Sequence, residues 1–258
     1  MRSLARILLP IFLFLTGMDD VCCAPLQLCY EDVAQKPWTM PDGSGLNIVL
    51  LKRVEKLLGE SFVFTAKPWK RCIEETRIGV MDGYFAATNT DERHQFSAFP
   101  TLPNGMPDKS AMLNETAAIV YLKKDGKGVW DGKKLESPAL PILVQRGYYV
   151  ATMLRRQGLQ VEESIKSSED GLRALLQNRA DVAVLQGEEA RYLVGHDSKF
   201  KDAVIASSIP YTTTSQYLAI SRKVYDDNPK RIEAIWNAIR TVRESAEYRA
   251  LLDAKVMH

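Results

Sequence analysis

Short apolar runs alternate along this chain with stretches whose apolar residues recur every three or four positions. Residues 26–30 read as a strand, and 37–45 as a loop broken by Pro41, Gly43 and Gly45. Over 46–58, Leu46, Val49, Leu50, Val54, Leu57 and Leu58 keep helical spacing, and Gly59 ends the run where a left-handed residue closes a helix. Residues 61–66 alternate like a second strand. Residues 68–78 form a helix entered through Pro68 and left at Gly79, and 82–87 form a third strand. Such a series winds a parallel sheet through right-handed crossovers. Thr90-Asp91-Glu92-Arg93 then reads as a helix entry: Thr90 can cap, and two acids suit the positive end of the dipole.

The same grammar restarts later. Strands are expected at 140–144, 159–162 and 181–185, and helices at 148–157, 168–178 and 188–194. Ser168 is the expected cap of the middle helix. Two extended segments, 117–122 and 216–221, flank this second series, and helices at 229–244 and 246–254 finish the chain. Two α/β series joined by two extended crossings predict two lobes, each a mostly parallel sheet flanked by helices, with the crossings as hinges. Ligands of open α/β sheets sit beyond the carboxyl ends of strands. Facing lobes place two such edges across one cleft.

The N-terminus changes the picture of where this happens. Arg2 and Arg6 precede an apolar run at 7–15 interrupted only by Pro10, and small residues follow up to Cys23-Ala24-Pro25. That is the order of a secretory signal peptide, assigned here to residues 1–24. The run is short of the about 20 residues that span a bilayer. Cys22 and Cys23 raise a lipid-anchored form, for which Asp19-Asp20-Val21 is a poor preceding sequence. The remainder, about 235 residues, suits one large domain or two small ones. Over the whole chain, 34 basic and 32 acidic residues nearly cancel and form no basic stripe, which argues against nucleic acid as a partner. Cys29 and Cys72 survive cleavage, and an oxidising compartment favours a disulfide between them over two buried thiols. His94, His196 and His258 are scattered, so no metal site is expected, and no cofactor.

Several short motifs fall in a telling order. They are Cys29-Tyr30-Glu31-Asp32, Pro68-Trp69-Lys70-Arg71-Cys72, Asp82-Gly83-Tyr84-Phe85, Thr90-Asp91-Glu92-Arg93 and Val144-Gln145-Arg146-Gly147-Tyr148, followed by 175–185 with its turn at Asn178-Arg179-Ala180-Asp181. Together they resemble the bacterial periplasmic solute-binding proteins of the amino-acid-binding type (family 3), which have the type II periplasmic fold. The resemblance runs from Leu26 almost to the C-terminus and is specific for a family, not for a ligand. It implies a first lobe of residues 25–116 and 217–258 and a second of 117–216. It also implies a periplasmic monomer that closes on a small polar solute, an amino acid or related carboxylate, and docks transiently on the permease of an ABC-type importer.

The resemblance makes Arg93 the clamp for a ligand carboxylate, which its planar fork of donors fits bidentately. Thr88 and Thr90 would add contacts beside it, Thr90 while also capping its helix. Trp38 and Trp69 offer aromatic faces, with Glu31 and Arg71 on the same edge. In the second lobe, Gly147 and Tyr148, with Tyr149, would turn backbone N–H groups toward the ligand, and Arg146 is either an anion contact or a solvated charge. Gln186 departs from the pattern, since this strand end carries an aspartate for the ligand ammonium in amino-acid binders; Glu188 and Glu189 stand close enough in sequence to substitute. Two rival readings remain: a dehydratase-like enzyme on the same scaffold, with Glu31, Glu188 and Glu189 as the available acids, or a sensing or interaction module without transport.

Overall fold

The computed structural model describes residues 24–256. The assigned leader up to Cys23, with Cys22, and His258 lie outside the described residues. The chain begins with β1 (Leu26–Glu31), α1 (Leu46–Leu58), β2 (Phe62–Lys67), α2 (Trp69–Arg77) and β3 (Gly83–Thr88). Short α3 (Asp91–His94) and β4 (Ser97–Ala98) follow, then the long β5 (Asn114–Lys123). The hairpin β6 (Val129–Trp130) and β7 (Leu135–Glu136) leads into β8 (Ile142–Gln145), α4 (Tyr149–Arg156), β9 (Val161–Ile165), α5 (Ser168–Leu176), β10 (Val182–Gln186) and α6 (Glu188–His196). After α7 (Ser198–Lys201) and β11 (Val204–Ala206), the long β12 (Thr212–Ser221) returns. It precedes α8 (Arg222–Asp227), α9 (Pro229–Glu244) and α10 (Ala246–Val256).

One curled sheet orders its strands β2-β1-β3-β12-β5-β10-β8-β9, with β4 on β12 and β11 on β5. The β1–β2, β1–β3, β8–β9 and β8–β10 pairs are parallel; every pair made by β5 or β12 is antiparallel. The long strands divide their length. Residues 114–118 of β5 pair with 216–212 of β12; beyond that, β5 pairs with β10 and β12 pairs with β3. This stretch is the crossing between two lobes. Both strands begin a few residues before the extended segments expected from the apolar pattern, because polar Asn114, Glu115 and Thr116 pair with Gln216, Ser215 and Thr214, and Thr213 and Thr212 pair with Ala117 and Ala118.

One face of the first lobe buries Leu28, Leu50, Phe85, Leu218, Ile235 and Tyr248 among α1, α9 and α10. The second lobe has its own core around Leu143, Leu175, Leu185 and Phe200. A third cluster runs through both lobes, from Cys29, Trp69 and Tyr84 to Val120, Val144 and Val184. Cys29 in β1 and Cys72 in α2 are fully buried and disulfide-linked, with Cα atoms 5.7 Å apart.

Local differences from the sequence pattern have local causes. In α1, Leu50, Leu51 and Val54 are buried, whereas Val49 faces away from the core, 37 % exposed. Strand β9 begins at Val161 rather than Leu159, since parallel pairing with β8 sets its register and carries Glu162 and Glu163 into the sheet edge. The cap of α5 is Ser167, not Ser168: Ser167 Oγ accepts from Asp170 N and Asp170 accepts from Ser167 N, a reciprocal pair that leaves Ser168 buried in the first turn.

Candidate functional site

A cleft of about 1430 Å³ lies between the lobes. The crossing strands form its floor through Asn114, Thr213 and Gln216. The loop after β1, with Trp38 and Met40, and the start of α1 make one wall; Tyr148, Tyr149 and the β10–α6 junction make the other. The loop wall depends on Gly45. At φ +111° it packs so closely on the Trp38 carbonyl that a Cβ would stand 2.5 Å from that oxygen.

Arg93 lies at the base of the cleft, only 7 % exposed. Its Nη1 donates to the Thr88 carbonyl at 2.8 Å, and its guanidinium sits 5.4 Å from the centre of the Trp69 ring. Among the described residues no carboxylate comes within ion-pair distance of it. Burial lowers its pKa from the ordinary arginine value. A buried cation without an anionic partner costs several kcal/mol, which a carboxylate entering the cleft would offset. Trp69 is both core and wall: 8 % exposed, it packs edge-on against Tyr84 while lining the cleft. Thr88 also lines it, but its hydroxyl accepts from Gln216 Nε2 at 3.1 Å, so it acts chiefly to position its neighbours. Beside it, Ala86 lines the cleft at φ +58°, where two residues of β3 face one of β12.

Several expected contacts are engaged elsewhere. Thr90 is not part of the cleft; its hydroxyl turns to its own helix and accepts from Arg93 N at 3.4 Å. The Gly147 N–H does not await a ligand, because it donates to Glu163 Oε2 at 2.7 Å. The Tyr148 N–H is likewise used, on the Gln145 carbonyl. Arg146 is exposed and Arg71 pairs with Glu75, both away from the cleft.

Tyr148 contributes its hydroxyl instead. It donates to the Glu31 carboxyl and accepts from Gln35 Nε2 at 2.8 Å, bridging the lobes. Burial pushes the Glu31 pKa up to about 8; Tyr148 opposes the shift, Asp32 adds to it, and Lys166 opposes it. Glu31 is therefore largely protonated at neutral pH. Two ion pairs join the lobes on the same side: Lys166 with Asp32 at 3.0 Å and Lys70 with Glu163 at 3.6 Å. At the end of β10, buried Gln145 holds both backbone groups of Gln186, accepting from its N–H and donating to its carbonyl, each at 2.9 Å. The Gln186 side chain remains on the cleft wall.

The sequence reading missed Gln35, Gln145, Glu163, Asn114 and Gln216. The signal available for Gln145 and Gln216 was a polar residue embedded in an apolar extended run, which burial makes expensive unless it is hydrogen-bonded.

No family model matches the sequence, and no curated protein matches it. Solved structures do. A histidine kinase sensor domain with similarity to periplasmic binding proteins aligns with TM-score 0.68 at 13% identity, covering 90% of this chain and 96% of that one. The ligand-binding core of GluR0 from Nostoc punctiforme, in complex with L-glutamate, aligns with TM-score 0.68 at 18% identity over 90% of this chain and 99% of that one. A variant of ArgBP from T. maritima aligns with TM-score 0.66 at 18% identity over 90% and 95%. The chain thus has the two-lobed fold of the periplasmic binding proteins.

Proposed function

We propose that this protein is a periplasmic solute-binding protein that captures a small carboxylate-bearing solute, an amino acid or a relative of one, between its lobes. Arg93 carries this reading. It is a buried guanidinium, stacked on Trp69, with no carboxylate beside it among the described residues, opening into a cleft whose lobes join through two strands. The solute's carboxylate completes the pair, and better pairing in the closed form draws the lobes together. In this reading the closed form hands its solute to the permease of an ABC-type importer and works as a monomer without a cofactor.

A sensing role uses the same binding step, and the likeness to a histidine kinase sensor domain favours keeping it as the second reading. Glu31 lines the cleft but is engaged with Tyr148, so we read binding rather than chemistry there.

The test is a thermal-shift screen of the mature protein against amino acids and other small carboxylates, followed by calorimetry on hits with wild type and Arg93→Ala. A solute that binds only the folded state raises the melting temperature. The expected result is a carboxylate hit lost in the variant. A hit that Arg93→Ala binds equally well would refute the clamp.

A further inference from the structure

We infer that the solute this cleft is built for is a carboxylate with a bulky apolar body and no free ammonium, a class typified by arylalkanoates. The inference rests on the carboxylate-binding reading above and specifies its ligand.

Size is the first observation. Small-molecule sites enclose roughly 300–1,000 Å³, and this cleft holds about 1430 Å³. A wide-open hinge does not account for the space. Tyr148 already reaches Glu31 and Gln35 across the lobes, Lys166 reaches Asp32 and Lys70 reaches Glu163. The turn at Gly147 lies against the other lobe, where an added Cβ would meet Lys70 Cγ at 2.9 Å. The lobes are latched along one side and the cavity persists on the other.

Lining is the second. Away from Arg93 the walls carry Met40, Leu46, Val49, Leu193 and Leu251, with Trp38 among them. Val49 breaks the core pattern of α1 to stand there. Apolar surface left facing a cavity is stabilised by an apolar ligand that removes it from water.

Charge is the third. An ammonium buried beside the carboxylate needs an anionic partner. Glu31 is spent on Tyr148, Glu188 pairs with Arg191 at 3.9 Å, and Gln186 presents a neutral amide. Thr88, Asn114 and Gln216 on the floor are neutral, and Glu115 beside Asn114 is exposed and accepts from Ser215 Oγ at 3.5 Å. Glu189, in the first turn of α6, is the acid most able to contradict this, so it enters the test.

The experiment is titration calorimetry of the mature, disulfide-bonded protein with 3-phenylpropanoate, L-phenylalanine and L-glutamate. Phenylpropanoate is expected to bind at least about tenfold more tightly than phenylalanine, with glutamate weaker than both. Val49→Asp is expected to weaken phenylpropanoate by a similar factor without lowering the melting temperature. Three results overturn the inference: phenylalanine or glutamate binding as well as phenylpropanoate, an affinity for phenylalanine that Glu189→Gln removes, or no phenylpropanoate binding below about 1 mM. If an amino acid binds and Arg93→Ala abolishes it, only the ligand class fails and the binding reading survives. If amino acids and phenylpropanoate all bind Arg93→Ala as well as wild type, the binding reading fails with it.

Discussion

Two strand-to-helix turns face the region between the lobes, and they are finished differently. After β3, Arg93 enters a four-residue helix, stacks on Trp69 and meets no carboxylate among the described residues. After β8, the Gly147 N–H meets Glu163, which also holds Arg155 at 2.8 Å and Lys70 at 3.6 Å. Both turns have the residue types of an anion site. Only the first has an unmet need for an anion; the second carries its own. A turn's capacity to bind is therefore decided by what the rest of the fold places beside it.

That contrast can be broken from either side. The largest expected effect is at Arg93. Removing one partner of a buried charge pair costs about 2–5 kcal/mol, so Arg93→Ala should weaken solute binding roughly 30-fold or more. Its melting temperature should hold or rise, because an uncompensated buried charge has gone. Calorimetry and a thermal melt check both; a large fall in stability would mean that Arg93 is structural first.

The disulfide comes next, since α2 carries Trp69 and is tied to β1 through Cys72 and Cys29. Reduction, or a Cys72→Ser variant, should lower stability by about 2–4 kcal/mol and loosen the surface on which Arg93 stacks. Denaturant melts with and without reductant measure it. Mass spectrometry without reductant should find the two cysteines linked, and free thiols would void the prediction.

Glu31 gives an effect spread over pH, with a definite sign. Folding raises its pKa from 4.5 to about 8, so the folded state holds the extra proton between those values. Its contribution is complete below the unfolded value near 4.5 and is lost as pH rises through about 8. Stability should fall across this window by up to about 1.4 kcal/mol per pH unit. Glu31→Gln should flatten the profile, and identical profiles for variant and wild type would contradict the assignment. The smallest effect is at Glu163. Glu163→Gln should cost about 1 kcal/mol and make the second turn resemble the first, with a weaker contact to Lys70. If stability does not change, the second turn does not depend on its own anion.

The sheet was legible in the sequence because its strands are short apolar runs between glycine-ended helices, and period and punctuation are local properties. Gly59 is a left-handed cap and Pro68 opens α2. Arg93, Trp38 and Gln186 were legible as cleft residues because strand ends and adjoining loops are where such folds expose side chains. Glu163 was not, because its partners Gly147 and Lys70 lie 16 and 93 positions away, and no local pattern couples them. The same holds for the Glu31–Tyr148–Gln35 bridge. Val49 shows a subtler limit: helical spacing marks apolar faces without saying which covers the core and which lines a cavity.

The place of β12 in the sheet has a consequence for how the molecule is assembled. It lies between β3 and β5, near the middle of the strand order, yet it is the last strand made. Until it arrives, β3 has an unpaired edge, and α1 lacks α9, which packs against it. The second lobe, by contrast, has β5, β10, β8 and β9 in hand by Gln186. The part of the chain that leaves the ribosome first is thus completed last, and a C-terminal truncation does its damage at the N-terminal end of the sheet.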